Sequence, residues 1–221
     1  LVAQVENSVQ SFISIKSTGV SEFLKAHPEY DGRGTIVMVL DTGIDIGIDG
    51  LKKTSTGEDK VLDVQDFTGQ GDVKYFEAET DEDNDTLFFV NEDKELKVAG
   101  ADKLSLKSSD DKYFIGVLNE KLWMNSGSGV KDINRNGSKD DKFYFVVFKV
   151  EENGESYWVT YIDINLNGDL ADEIPLRNYI EKHQTVDFQD KDELAPFTVA
   201  LNIFPKDSKL SFFFDDGSHG T

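Results

Sequence analysis

The chain has 221 residues, 38% of them hydrophobic, enough for one ordinary core or somewhat more and too apolar for a mainly disordered protein. Its 23 basic against 43 acidic residues give a formal charge of -20, which disfavours nucleic acid and anionic membrane as partners and favours cations. There is no cysteine, so disulfides, zinc–thiolate centres and thiol catalysis are excluded together.

The opening "LVAQVENSVQ" has no initiator methionine, basic flank or apolar core of signal-peptide length, so it reads as mid-chain. In residues 20–26, "VSEFLKA", Val20, Phe23 and Leu24 fall at helical spacing, with Ser21 as cap and Pro28 as stop. After a turn at 29–34, residues 35–40, "TIVMVL", form the continuous apolar run expected of a buried parallel strand. A second strand is expected over 60–67, "KVLDVQDF", so the opening predicts an α/β sheet. No run approaches the roughly 18 apolar residues of a membrane span.

Beyond about residue 76 the texture changes to aromatic-rich alternation. Strands are expected at 86–91, 113–118, 142–150, 156–163, 197–204 and 210–214, and "EENGE" at 151–155 joins two of them at hairpin distance. The expected fold class is therefore α/β at the ends with a mainly antiparallel β block between. Three segments follow: 1–75, a β-rich insertion over 76–205, and a return at 206–221. The acid runs "ETDEDND" (79–85) and "DFQDKDE" (187–193) read as solvated loops.

The buried run ends in Asp-Thr-Gly, which places Asp41 at the carboxyl edge of a parallel sheet, where α/β folds keep their sites. Alone, the tripeptide is also ordinary turn chemistry. Aspartic proteases use a pair of such segments sharing a proton, and only one copy occurs here.

Taken with the terminal "DDGSHGT", the segment "DGRGTIVMVLDTGID" resembles the two leading signatures of the subtilisin-like serine proteases. The resemblance implies that Asp41 and His219 are two members of an Asp-His-Ser triad. Asp41 would accept the imidazole Nδ1–H and hold the tautomer, and His219 would take the serine proton and return it to the leaving amine. Neither Ser211 nor Ser218 stands in the family's serine motif, so the chain reads as a fragment without its nucleophile and is expected to be inactive alone. Within the family, "STGVSEFLKAHPEYDGRGTIVMVLDTGID", "DKVLDVQDFTGQGDV" and "YIDINLNGDLADEIPLRNY" resemble the long-insert branch of the tripeptidyl peptidase II and pyrolysin families. That implies a parallel-sheet catalytic domain interrupted by the β-rich insertion, with peptide or protein as substrate and the remainder of the domain as partner. Homo-oligomers fit this plan; nucleic acid and a membrane span do not.

Within the insertion "DINRNGSKDD" and "DINLNGDLAD" repeat one pattern, side-chain oxygens at alternate positions and glycine at the sixth, which suits a calcium loop. The candidate ligands are Asp132, Asn134, Asn136 and Asp140 in the first, and Asp163, Asn165, Asn167, Asp169 and Asp172 in the second. Phe143 and Ile174 stand where an EF-hand has its bidentate glutamate, so shorter loops closed by an aspartate fit better. The same residues also make metal-free turns between strands.

His27 and His183 read as surface residues, and Trp123 and Trp158 as core aromatics rather than a carbohydrate platform. "SGSG" at 126–129 is too short for a phosphate loop. The function expected is a serine peptidase, with structural calcium. The alternative is a non-catalytic, calcium-stabilised binding or assembly module on a decayed protease fold, or an adhesion-like module carried by a protease. Calcium loops and an acidic surface favour an extracellular or cell-surface setting; the resemblance to the tripeptidyl peptidase II branch allows a cytoplasmic one.

Overall fold

A computed structural model of the chain describes residues 14–41, 43–44, 46–121, 132–188 and 197–213. Contacts divide the chain into Leu1–Leu40 and Asp41–Thr221, and each unit is described by itself.

In the first unit α1 (Val20–Ala26) has the expected bounds. Gly19, at φ 76, stands in front of it in the left-handed region, and Ser21 lies inside the helix rather than capping it. The helix ends where the His27 N–H donates to the Phe23 carbonyl, one residue before Pro28, whose ring disfavours helical backbone at its predecessor. As expected, His27 is a surface residue. It stacks on Tyr30 at 5.2 Å and lies 3.5 Å from Glu29.

Residues 35–40 correct the expectation of a buried parallel strand. They belong to no strand, and Ile36, Val37, Met38, Val39 and Leu40 are 65–80% exposed. A parallel strand is buried only when neighbours pair its backbone and helices cover both faces. No strand among the described residues does so. In the second unit residues 60–67 likewise form no strand, although Val64 is buried.

The second unit is built from nine strands: β1 (Asp72–Asp83), β2 (Thr86–Asn91), β3 (Lys97–Ala99), β4 (Tyr113–Asn119), β5 (Lys142–Glu152), β6 (Glu155–Ile162), β7 (Val186–Phe188), β8 (Phe197–Phe204) and β9 (Lys209–Phe213). Every pairing between them is antiparallel. The fold is therefore mostly antiparallel β, with the short helices α2 (Asp49–Lys52) and α3 (Tyr179–Lys182), and the α/β parallel sheet expected from the opening is not seen among the described residues. The order is β6-β5-β4-β1-β9-β8-β7, with β2 also on β1 and β3 on β2. The acid run at 79–83 belongs to β1 rather than to a loop, its charge offset where Lys94 and Lys97 reach Asp81 and Asp83.

β5 shows why this block folds. Phe143, Phe145 and Val147 enter one core and Val146, Phe148 and Val150 the other, the two-residue period of a strand buried on both faces. The β5–β6 hairpin turns at Asn153 (φ 54) and Gly154 (φ 81), the positive-φ pair that matches strand twist. Close approach demands one more glycine: a Cβ on Gly116 of β4 would lie 2.3 Å from the Phe145 ring. Trp158 packs half-buried against the first core beside Phe114, as expected of a core aromatic. Trp123 and the "SGSG" segment lie outside the described residues.

Candidate functional site

Asp41 is exposed and opens the second unit. Three and five residues on, Ile44 and Ile46 turn inward. Ile46 is 4% exposed and joins Val64, Tyr179 and Ala200 in a third, small core, against which Ile44, Val61 and Phe213 pack. Phe213 is the last residue of β9 and stands six positions before His219. The structure thus brings the flank of the Asp-Thr-Gly motif and the flank of the terminal motif into one apolar cluster. His219 and the rest of "DDGSHGT" lie outside the described residues. At roughly 3.3–3.6 Å per residue, the leashes from the cluster are about 10 Å to Asp41 and about 20 Å to His219.

Polar contacts fix the segment between. The Asn202 amide donates to the Val64 carbonyl at 2.7 Å and the Tyr179 hydroxyl to the Val61 carbonyl at 3.3 Å. His183 places Nε2 at 3.1 Å from the Leu62 carbonyl and Nδ1 at 3.2 Å from Asp59. Asp59 also takes Lys53 at 2.6 Å, and that hydrogen bond, the largest cause, holds its carboxyl below the usual range. His183 therefore corrects its reading as a plain surface residue: it ends the four-residue α3 at φ 51, and the left-handed turn lets the ring fold back onto residues 59–62.

The two loops are near copies. Asp132 accepts the Asn136 and Gly137 N–H groups at 3.1 and 2.9 Å, and Asp163 accepts those of Asn167 and Gly168 at 3.0 and 2.9 Å. Asn134 and Asn136 direct their amide nitrogens to Asp141, and Asn165 and Asn167 direct theirs to Asp172. Asp140 instead pairs with Lys121 at 3.0 Å, so Asp141 takes the place in the first loop that Asp172 takes in the second. Asp169 accepts the Ala171 N–H and lies 3.5 Å from Lys103.

Sequence reasoning missed Asp141 and a glutamate behind each loop. Glu120, fully buried, accepts the Ile133 N–H at 2.6 Å and the Asp141 N–H at 3.2 Å. Glu173 accepts the Ile164 N–H at 2.9 Å. Glu173 adjoins its motif and could have been read from it. Glu120 comes from the turn after β4, so only the fold reveals it. Burial pushes the Glu120 carboxyl up, aided by the charges of Asp141 and Asp132 against the hydrogen bonds it accepts. Burial likewise pushes Glu173 up to about 7, with Asp172 and Asp163 adding to it, and raises Asp163.

Oxygen donors crowded into partly buried, like-charged sets suit a hard cation such as calcium. As folded, however, the asparagine amides present nitrogen to Asp141 and Asp172. Among the described residues no three acidic or histidine side chains are already arranged to hold a metal. Turning the amides over would present Oδ1 instead.

Comparison with known proteins gives partial matches. The chain is 51% identical over 65 residues to tripeptidyl-peptidase 2 of Oryza sativa, covering 29% of the chain and 5% of that protein. It is 39% identical over 101 residues to tripeptidyl-peptidase 2 of Arabidopsis thaliana, covering 46% of the chain and 7% of that protein. It is 28% identical over 212 residues to pyrolysin of Pyrococcus furiosus, covering 87% of the chain and 14% of that protein. The chain thus spans a small part of the length of the curated relatives it matches. No family model and no solved structure matches it. These matches agree with the two sequence signatures: the chain is similar to the tripeptidyl-peptidase 2 and pyrolysin proteins, subtilisin-like serine proteases of the long-insert branch.

Proposed function

We propose that this chain supplies the aspartate and histidine of an Asp-His-Ser triad in a subtilisin-like serine peptidase. The observation that carries the reading is the cluster in which Ile44 and Ile46, next to Asp41, meet Phe213, on the approach to His219. Residues 1–75 and 206–221 would be segments of the parallel-sheet catalytic domain, with 76–205 inserted between them. The exposed run at 36–40 would then be a strand of that sheet.

In this mechanism Asp41 accepts the Nδ1–H of His219, fixes its tautomer and stabilises the imidazolium. His219 Nε2 takes the proton of a serine as that serine attacks the peptide carbonyl, and returns it to the leaving amine. The attacking serine is not in these 221 residues, so the chain alone should not turn over. Among the described residues no helix is long and apolar enough to cross a membrane; an extracellular or cell-surface setting remains the reading favoured by the acidic surface, with a cytoplasmic one as its alternative.

The test is hydrolysis of an internally quenched peptide and of a fluorogenic tripeptide amide by the intact protein. Asp41→Asn should lower kcat about 10⁴-fold and His219→Ala about 10⁶-fold, the scale of triad deletions. Activity retained within tenfold in either variant overturns the assignment.

The paired loops favour a second, structural role for the insertion. Each would hold one calcium ion, the first through Asp132, Asn134, Asn136 and Asp141 with Glu120 behind, the second through Asp163, Asn165, Asn167 and Asp172 with Glu173 behind. Bound calcium at about 100 times its Kd would add about 2.7 kcal/mol of stability. Titration calorimetry and thermal melts should show binding and a raised Tm, both lost in Asp141→Asn/Asp172→Asn. Calcium that does neither at millimolar concentration removes the reading.

A further inference from the structure

β1 changes partners along its length. Asp72, Val73 and Lys74 pair with β9, and the stretch from Ala78 to Asp83 pairs with β2. Ala78 pairs at once with Asn91 of β2 and Tyr113 of β4, so β2 and β4 flank β1 on opposite sides, and the strand order puts β9 across from β4 as well. On the side of β2 and β9, residues 75–77 therefore have no strand partner. This gap is about 10 Å long at roughly 3.3 Å per residue. The turn after β2 and the turn before β9 border it, and it opens into a recess of about 720 Å³.

Aromatic and acidic groups line the recess. Phe76 is 57% exposed on its strand, and Phe114 is half-buried nearby. Tyr75 is 3% exposed and its hydroxyl has no hydrogen-bond partner. Glu77, Glu92, Asp93 and Glu95 complete the lining, all exposed and none with an ion pair or side-chain hydrogen bond among the described residues. The neighbouring lysines are committed elsewhere: Lys74 to the Asp207 carbonyl at 2.6 Å, Lys94 to Asp81 at 3.0 Å and Lys209 to Asp72 at 2.6 Å.

We propose that this recess receives the side chain of a lysine or arginine presented by another polypeptide. A three-residue gap is too short for a strand to pair along β1, but it admits one long side chain end-on between the two turns. The aromatic walls suit the aliphatic stem and the face of a cation, and the four uncompensated carboxylates suit its charge. Tyr75 contributes a buried oxygen that a donor reaching the floor satisfies. The exposed turns on either side give the partner's main chain a surface to lie across, which a free amine would not use. The site is separate from Asp41 and His219 and does not depend on the triad.

The test uses the full 221-residue chain and fluorescein-labelled acetyl-Ala-Ala-Lys-Ala-Ala-amide, followed by anisotropy at low ionic strength. The lysine peptide should bind about tenfold tighter than the same peptide with norleucine at the centre. Binding should fall about tenfold in Glu77→Gln/Glu92→Gln/Asp93→Asn/Glu95→Gln and about threefold in Phe76→Ala, the scale of an exposed cation–π contact. A variant neutralising four acids elsewhere, Glu79→Gln/Glu82→Gln/Asp102→Asn/Glu151→Gln, should leave affinity within twofold. Equal binding of the norleucine peptide, an equal loss in the remote variant, or no binding at millimolar peptide overturns the proposal. Spermidine competing at the same concentration as the peptide overturns the assignment to a polypeptide.

Discussion

Residues 36–40 and 143–148 are both short, apolar and rich in β-branched or aromatic side chains, yet they meet opposite fates. Phe143, Phe145, Val146, Val147 and Phe148 are all fully buried, whereas Ile36 to Leu40 are 65–80% exposed. The difference lies in partners. β5 has β4 on one side and β6 on the other, each supplying backbone hydrogen bonds and opposing side chains at close sequence distance. Hairpins of this kind assemble locally, while a parallel strand waits for partners brought by crossover connections. An apolar run therefore states a demand for cover, and topology decides whether the demand is met.

The largest effect should come from the met demand. Phe145 fills the space over Gly116 and lies edge-on to Phe212, joining β4, β5 and β9. Phe145→Ala should cost about 3–5 kcal/mol, the range for a buried aromatic truncated in a core that cannot collapse. Urea denaturation reads it. A cost below about 1 kcal/mol would show that the sheet does not bear the stability of the second unit.

A smaller effect sharpens the comparison within β1, where burial and exposure alternate residue by residue. Burial, reinforced by the charge of Asp207, pushes the Tyr75 hydroxyl up to about 12. The folded chain then keeps its proton while the unfolded chain, near pKa 10, releases it, so stability falls as pH rises from about 10 to about 12 and no penalty exists below that window. The drop is at most about 2–3 kcal/mol for a two-unit shift. Tyr75→Phe should remove most of this slope and leave stability near pH 7 unchanged or slightly higher, because the hydroxyl it deletes has no partner. An unchanged alkaline slope in that variant would place the titrating group elsewhere.

Much of the β block was legible because its signals are local. Alternation, aromatic content and the Asn153–Gly154 turn locate β2, β4, β5, β6, β8 and β9 to within a residue or two. β1 was hidden because Glu79 to Asp83 has the composition of a solvated loop, and only its position beside β2 and Lys94 and Lys97 makes a strand of it. β3 and β7, at three residues each, carry too little pattern to read. The loop motifs were visible as repeats, but the acid that closes the first was misplaced by one position, since adjacent Asp140 and Asp141 look alike until Lys121 draws one outward. Glu120 was invisible for a different reason: it reaches the loop through the fold, not along the chain. The Asp-Thr-Gly motif was read from resemblance, while its link to the terminal motif through Ile44, Ile46 and Phe213 needed the structure.

The smallest expected effect tests the unmet demand. Val37 is 75% exposed, so in this 221-residue chain Val37→Ser should change stability by no more than about 0.5 kcal/mol, as for surface positions generally. The same substitution in the intact protein should cost about 1–3 kcal/mol if the run becomes a strand buried on both faces there, since it then removes buried apolar area and leaves a hydroxyl to satisfy. Paired urea titrations of the two proteins separate the cases. A large cost in the short chain would mean that residues 36–40 already find cover in it, and a negligible cost in both would mean that the run leading to Asp41 is not a sheet strand at all.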